Sequence, residues 1–258
     1  MRFADGELDR LPVLAEELVR EKVDVIVTGS TPGALAAKRA TDTIPIVFVT
    51  TGDPVQGGIV ASLGQPGGNI TGITALGVEL NAKRLELLKE TFGISRVAVL
   101  ANPGSPYTQE FRSQRDSTGR SLGMELPLVE VKGRGELAAA FDRIGSMEVG
   151  GILVLSDIVF VSNPWVIVEL VARQRIPAIY PDRAFVDAGG LMFYGAALPV
   201  MYRDAAVYVD KILRGAKPSK LPVEQPTRFE LVVNQAAAKA LGLSLLPSLL
   251  GRADHIVE

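Results

Sequence analysis

No cysteine occurs in the 258 residues. That excludes thiolate nucleophiles, disulfides and thiolate metal sites, and leaves the redox compartment open. Histidine occurs once, as His255 near the end. A Ser-His-Asp triad or a multi-histidine zinc site therefore has no well-placed imidazole, and His255 reads as a solvated tail residue. No catalytic residue, metal site or cofactor motif is read anywhere in the chain. Aromatic residues make up only 6%. A formal charge of −2 gives no bulk attraction for nucleic acid or an anionic membrane. No run approaches the roughly 18 apolar residues that span a bilayer.

What is present is alternation. Hydrophobic residues reach 47%, and short apolar runs alternate with helical patterns, as in parallel sheets covered on both faces. The strand candidates are 23–28, 44–50, 70–74, 96–101, 126–131, 151–155, 178–180 and 191–194. Helical patterns cover 7–22, 79–91, 108–122, 136–146 and 163–175. One passage recurs: "VDVIVTGS" leading to "TIPIVFVTTGDP" has the order of "GGILVLSD" leading to "RIPAIYPDRAF". Two similar α/β lobes follow as the expectation, with parallel sheets joined by three crossings at 64–77, 195–199 and 221–234. Lobe 1 is 1–75 plus 197–224, and lobe 2 is 76–196 plus 225–258. Glycines 64, 67, 68 and 72 beside the first crossing suggest a hinge. A ligand is expected in a cleft facing the carboxyl ends of both sheets.

Several motifs are long enough to carry a resemblance. "IPIVFVTTGDPVQGGIVASLGQPGGNITGIT", "KRLELLKE", "RVAVLANPGSP", "IPAIYPDRAFVDAGGLMFYG" and "YVDKILRGAKPSKLPVEQPTRFELVVN" appear in order. Together they resemble the ABC-transporter substrate-binding family that includes tryptophan-binding and related lipoproteins. The resemblance implies a type I periplasmic-binding fold of two Rossmann-like lobes. It also implies a solute closed between the lobes and handed to a membrane permease driven by a separate ATPase. The solute so implied is a small carboxylate, an amino acid with an aromatic side chain among the options. By the same resemblance the protein is periplasmic or membrane-anchored outside the cytoplasm, whereas the chain as written carries no signal peptide and on that reading stays in the cytoplasm.

Relatives are expected to carry a strand, a helix and a second strand before the segment matching "RFADGELDRLP", so lobe 1 reads as truncated. Residues 1–3 are then at most a strand stub. The strand at 23–28, β-branched and nearly uncharged, is expected to lack a partner on one side and to self-associate.

The candidate site residues sit at strand ends. "GSTPGA" is neither a P-loop nor G-x-G-x-x-G, and Ser30 has no adjacent base, so nucleotide binding and nucleophilic catalysis are set aside. Ser30 or Thr31 caps a helix ahead of Pro32. The resemblance adds a ligand carboxylate received by their hydroxyls. Thr50 and Thr51 are candidate donors, and Asp53 is either a contact or a turn initiator. Asn102 and Tyr107 are candidates in lobe 2, as a two-way amide and a flat wall. Asp157 either binds a ligand ammonium or caps the next helix. Tyr180, Phe185 and Tyr194 either line the site or pack the core. Alternatives of other classes are the ligand-sensing domain of a regulator and a cofactor-free isomerase or racemase.

Overall fold

The computed structural model describes residues 1–4, 7–50 and 52–258. In chain order, the first elements are α1 (Leu11–Arg20), β1 (Ile26–Thr28), α2 (Thr31–Ala40), β2 (Ile46–Thr50), β3 (Ile70–Thr74) and α3 (Gly77–Phe92). There follow β4 (Val97–Ala101), α4 (Pro106–Leu122), β5 (Leu128–Glu130), α5 (Leu137–Ser146), β6 (Gly151–Val154), α6 (Ile158–Val161) and α7 (Pro164–Gln174). The last are β7 (Ala178–Tyr180), α8 (Arg183–Asp187), β8 (Met192–Ala196), α9 (Leu198–Leu213), β9 (Phe229–Asn234), α10 (Gln235–Leu241), α11 (Pro247–Leu250) and β10 (His255–Val257). The chain divides into two compact units, Met1–Gly77 with Ala196–Arg228, and Val78–Gly195 with Phe229–Glu258. The backbone thus passes between units at 77/78, 195/196 and 228/229.

Unit 1 is built on a parallel sheet of order β1-β2-β3. Its central strand, "IVFVT", is buried at every position. A strand with both faces covered needs such a continuous apolar run. Ile46 and Phe48 pack with Ile26, Ala34, Ala37 and Ile70 in one core. β3 lies unusually close to β2. A Cβ on Gly72 would stand 2.1 Å from the Phe48 carbonyl oxygen. Gly72 therefore sits inside a strand for close approach, and Gly64, Gly67, Gly68 and Gly72 all fall within unit 1, ahead of the passage at 77/78. The segment before that third passage runs beside β3: Thr71 Oγ1 donates to the Leu221 carbonyl at 2.7 Å and Thr74 N–H to that of Glu224 at 3.0 Å.

The opposite edge of this sheet is β1, which pairs only with β2 among the described residues. The strand is shorter than the apolar run that announces it, Ile26–Thr28. Val27 is 48% exposed, and residues 1–3 form no strand. An unpaired strand edge is a template for another chain. Sedimentation velocity is expected to show concentration-dependent self-association, and Val27→Lys, a charge of the kind that blunts natural edges, is expected to suppress it. A chain that stays monomeric at all concentrations removes β1 as an association edge.

Unit 2 carries a seven-stranded sheet of order β10-β9-β8-β7-β6-β4-β5. The pairs β10–β9, β8–β7, β7–β6, β6–β4 and β4–β5 run parallel. One face packs Leu85, Leu88, Val97, Val99, Phe111 and Leu153; the other packs Ala98, Leu100, Phe141, Ile144, Ile152 and Ile167. Two strands are not in the sequence reading. β9 occupies the second half of the stretch read as a crossing, and β10 places His255 in the sheet opposite Val232, exposed as a tail residue would be. Asp254 locks the pair, its N–H donating to the Leu231 carbonyl and its Oδ2 accepting from Leu231 N–H, each at 2.8 Å.

Candidate functional site

In unit 1, the residues singled out in the sequence gather at the carboxyl ends of β1 and β2. Ser30 has extended backbone, and its Oγ accepts from Gly33 N–H at 3.1 Å, the N-cap of a ten-residue helix with Pro32 in its first turn. A Cβ on Gly33 would meet Thr28 Oγ1 at 2.3 Å, so a larger residue there requires that side chain to shift. Thr31 Oγ1 lies 2.7 Å from Thr50 Oγ1, and the latter also accepts from Gly52 N–H at 3.3 Å. Two hydroxyls thus share hydrogen bonds at a helix N-terminus, where the backbone dipoles favour an anion. Asp53 Oδ1 accepts from Val55 N–H at 2.7 Å and Gln56 N–H at 3.2 Å, which is turn initiation. Lys38 holds this loop against α2 by donating to the carbonyls of Gly58 and Ile59 at 2.8 and 2.9 Å. Thr51 lies outside the described residues.

In unit 2, Asn102 follows β4 and Asp157 follows β6. Asn102 Nδ2 donates to Asp157 Oδ1 at 3.0 Å, and Asn102 Oδ1 accepts from Gly104 N–H at 3.0 Å. The same Asp157 oxygen accepts from Val159 N–H at 2.9 Å, so Asp157 is a cap, and Oδ2 takes no part in either bond. Asp182 after β7 repeats the arrangement, with Oδ1 accepting from Ala184 N–H at 2.8 Å. Burial pushes its carboxyl above the usual carboxylate range, opposed by that N–H.

The aromatic candidates divide. Tyr180 and Phe185 are fully buried and stacked, with ring centroids 4.8 Å apart, within the core formed with α5 and α7. Core packing accounts for both, and burial drives the Tyr180 phenol far above its ordinary pKa. Tyr107 is buried at the start of α4, its hydroxyl accepting from Asn81 Nδ2 at 3.0 Å. Burial raises its pKa, and the Arg84 guanidinium beside it opposes the rise. Tyr194, half-buried in β8, stacks on Phe229 at 6.2 Å and accepts Arg84 Nε on its carbonyl at 2.8 Å.

Asn81, Arg84 and Asp182 are absent from the sequence reading. The first two lie three apart on α3, in register with the buried Leu85 and Leu88. Polar residues on the core stripe of an amphipathic helix are the signal that marks them.

The sequence profile for ABC transporter substrate binding proteins matches residues 1–257. A Tyrosine-binding protein from Clostridioides difficile is 30% identical over 250 residues, covering 94% of this chain and 70% of that protein. Among solved structures, a conserved domain protein from Vibrio cholerae is similar at a TM-score of 0.92 and 28% identity, covering 99% of this chain and 86% of the other. An ABC domain from Streptococcus pneumoniae in complex with L-Trp has a TM-score of 0.89 at 22% identity, covering 98% and 85% of the two chains. The architecture is that of type I periplasmic-binding proteins. With profile and fold running over the same residues, the chain belongs to the ABC transporter substrate binding protein family, whose members bind solutes rather than transform them.

Proposed function

We propose that the protein captures a small amino acid, aromatic side chains included, for an ABC importer, with ligand groups drawn from loops at the carboxyl ends of its strands. The observation that carries this reading is the hydroxyl cluster of Ser30, Thr31 and Thr50 at the N-terminus of α2. Hydroxyls and helix dipoles together suit a carboxylate, the dipole alone contributing about 1 kcal/mol. In unit 2, Asp157 keeps one carboxylate oxygen clear of its capping and amide bonds, a partner for an ammonium. The tyrosine-binding relative and the L-Trp complex support an aromatic amino acid as the solute. Delivery outside the cytoplasm to a membrane permease powered by a separate ATPase follows from the family role. No described helix is long and apolar enough to cross a membrane.

A thermal-shift panel of L-amino acids and small aromatic acids tests the reading. A true ligand at about 100 times its dissociation constant adds roughly 2.7 kcal/mol of stability. L-tyrosine and L-tryptophan are expected to raise the melting temperature, with calorimetry giving one site per chain. A panel without a single shift sinks the amino-acid assignment.

A further inference from the structure

Unit 1 holds four aromatic residues, Phe3, Phe48, Tyr202 and Tyr208. Packing explains two of them. Phe48 is fully buried in β2, and Tyr208 is buried on α9 with its hydroxyl donating to the Pro222 carbonyl at 2.7 Å. Phe3 is exposed ahead of α1, next to Arg2, which pairs with Glu17 and Glu21 toward the far end of that helix. Tyr202, in the second turn of α9, is 44% exposed, so burial does not account for it.

The phenol end of Tyr202 is placed by a glycine. A Cβ on Gly29 would stand 2.0 Å from Tyr202 Oη and 3.3 Å from its Cζ, so the hydroxyl occupies the space that a side chain at 29 would fill. Gly29 does not have left-handed backbone, and close approach is the reason for it. It links β1 to Ser30, the N-cap of α2. Tyr202 thus reaches from α9 to the carboxyl end of β1, at the turn that carries Ser30 and Thr31.

The hydroxyls of Ser30, Thr31 and Thr50 suit a carboxylate, a group that every amino acid shares. They do not tell one side chain from another. A ring set against the backbone at its hydroxyl end and otherwise half in solvent is a preorganised apolar surface. Its quadrupole pairs best with a second aromatic ring.

We propose that Tyr202 is a specificity-determining residue of the unit 1 site, its exposed ring packing against the aromatic side chain of a solute whose carboxylate the neighbouring hydroxyls hold. The proposal rests on the amino-acid reading above and names what selects the side chain.

The test is calorimetry on the full chain with L-tyrosine and L-leucine. The wild-type chain is expected to prefer L-tyrosine. Tyr202→Leu keeps an apolar side chain without a ring. It is expected to weaken L-tyrosine by about 3- to 10-fold and L-leucine by less than about 2-fold. Tyr202→Phe restores the ring without the hydroxyl and is expected to hold L-tyrosine within about 2-fold of wild type. Both variants are expected to melt with the wild-type chain in the absence of solute, since the position is exposed. A residue that only staples α9 to Gly29 through its hydroxyl gives a different pattern, in which both variants lose L-tyrosine affinity alike. That pattern, undiminished L-tyrosine affinity in Tyr202→Leu, or a wild-type chain that binds both amino acids equally, overturns the proposal and leaves the amino-acid reading standing. A wild-type chain that binds no amino acid at all removes that reading, and this inference with it.

Discussion

Asp157→Asn is expected to weaken amino-acid binding by about 10- to 100-fold, the worth of one hydrogen bond to a charged group. The same change is expected to leave carboxylates without an amine nearly untouched. The substitution is chosen for what it preserves. Asparagine retains the Oδ1 acceptor for Val159 N–H and so keeps the cap of α6. Alanine would remove that cap, worth about 1 kcal/mol, and leave Asn102 Nδ2 without its acceptor. Isothermal calorimetry with L-tyrosine and with 3-(4-hydroxyphenyl)propionate separates the two effects. Equal losses for the two probes would show that Asp157 serves the fold alone, holding the ends of β4 and β6 together through Asn102.

Gly72→Ala should unfold unit 1 more readily than any other single-methyl change in its sheet. The added carbon would meet the Phe48 carbonyl oxygen at 2.1 Å and the Phe48 backbone nitrogen and ring at 2.7 Å. None of these is the yielding end of a flexible side chain. Phe48 is fully buried in β2, and the parallel ladder aligns it opposite Gly72 itself. Relief requires β3 to move off β2, at a cost of about 3 kcal/mol or more. Gly64→Ala is the control, because a Cβ there meets nothing within 4 Å; its effect is expected to stay within about 0.5 kcal/mol. Urea unfolding of both variants measures the contrast. Equal midpoints would mean that β2 and β3 are not packed this closely.

Much of the architecture was legible because strands with both faces covered declare themselves as unbroken apolar runs. "IVFVT" and "VAVLA" are of this kind, and both are buried at every position. The helix after β1 was legible from its cap chemistry, Ser30 ahead of Pro32, and Ser30 does cap it. Asp53 and Asp157 were each read with a capping or turn role beside a ligand role, and the local role is present in both. Short-range hydrogen bonds of this sort depend on residues two or three apart, which is why sequence alone suffices for them.

Elements whose only reason is distant in the chain were not legible. β10 is three residues, too short for a periodicity, and exists because Asp254 bonds Leu231 in β9. β9 was obscured by Pro222 and Pro226, which mark the preceding stretch as irregular. Gly72 looked like a hinge glycine among its neighbours; only the approach of Phe48 from β2 shows that it serves packing. Tyr180 in β7 and Phe185 in α8 stand where site aromatics would, yet tertiary packing against α5 and α7 takes both into the core. Arg84 is the clearest case. The sequence by itself determined that it lies on a helix, with Leu85 and Leu88 on the buried stripe. Only the tertiary structure brought the Tyr194 carbonyl, 110 residues away, to its Nε and the Asp182 carboxylate into its field. Helical periodicity is set by neighbours along the chain, whereas the environment of a buried charge is set by whatever the fold packs around it.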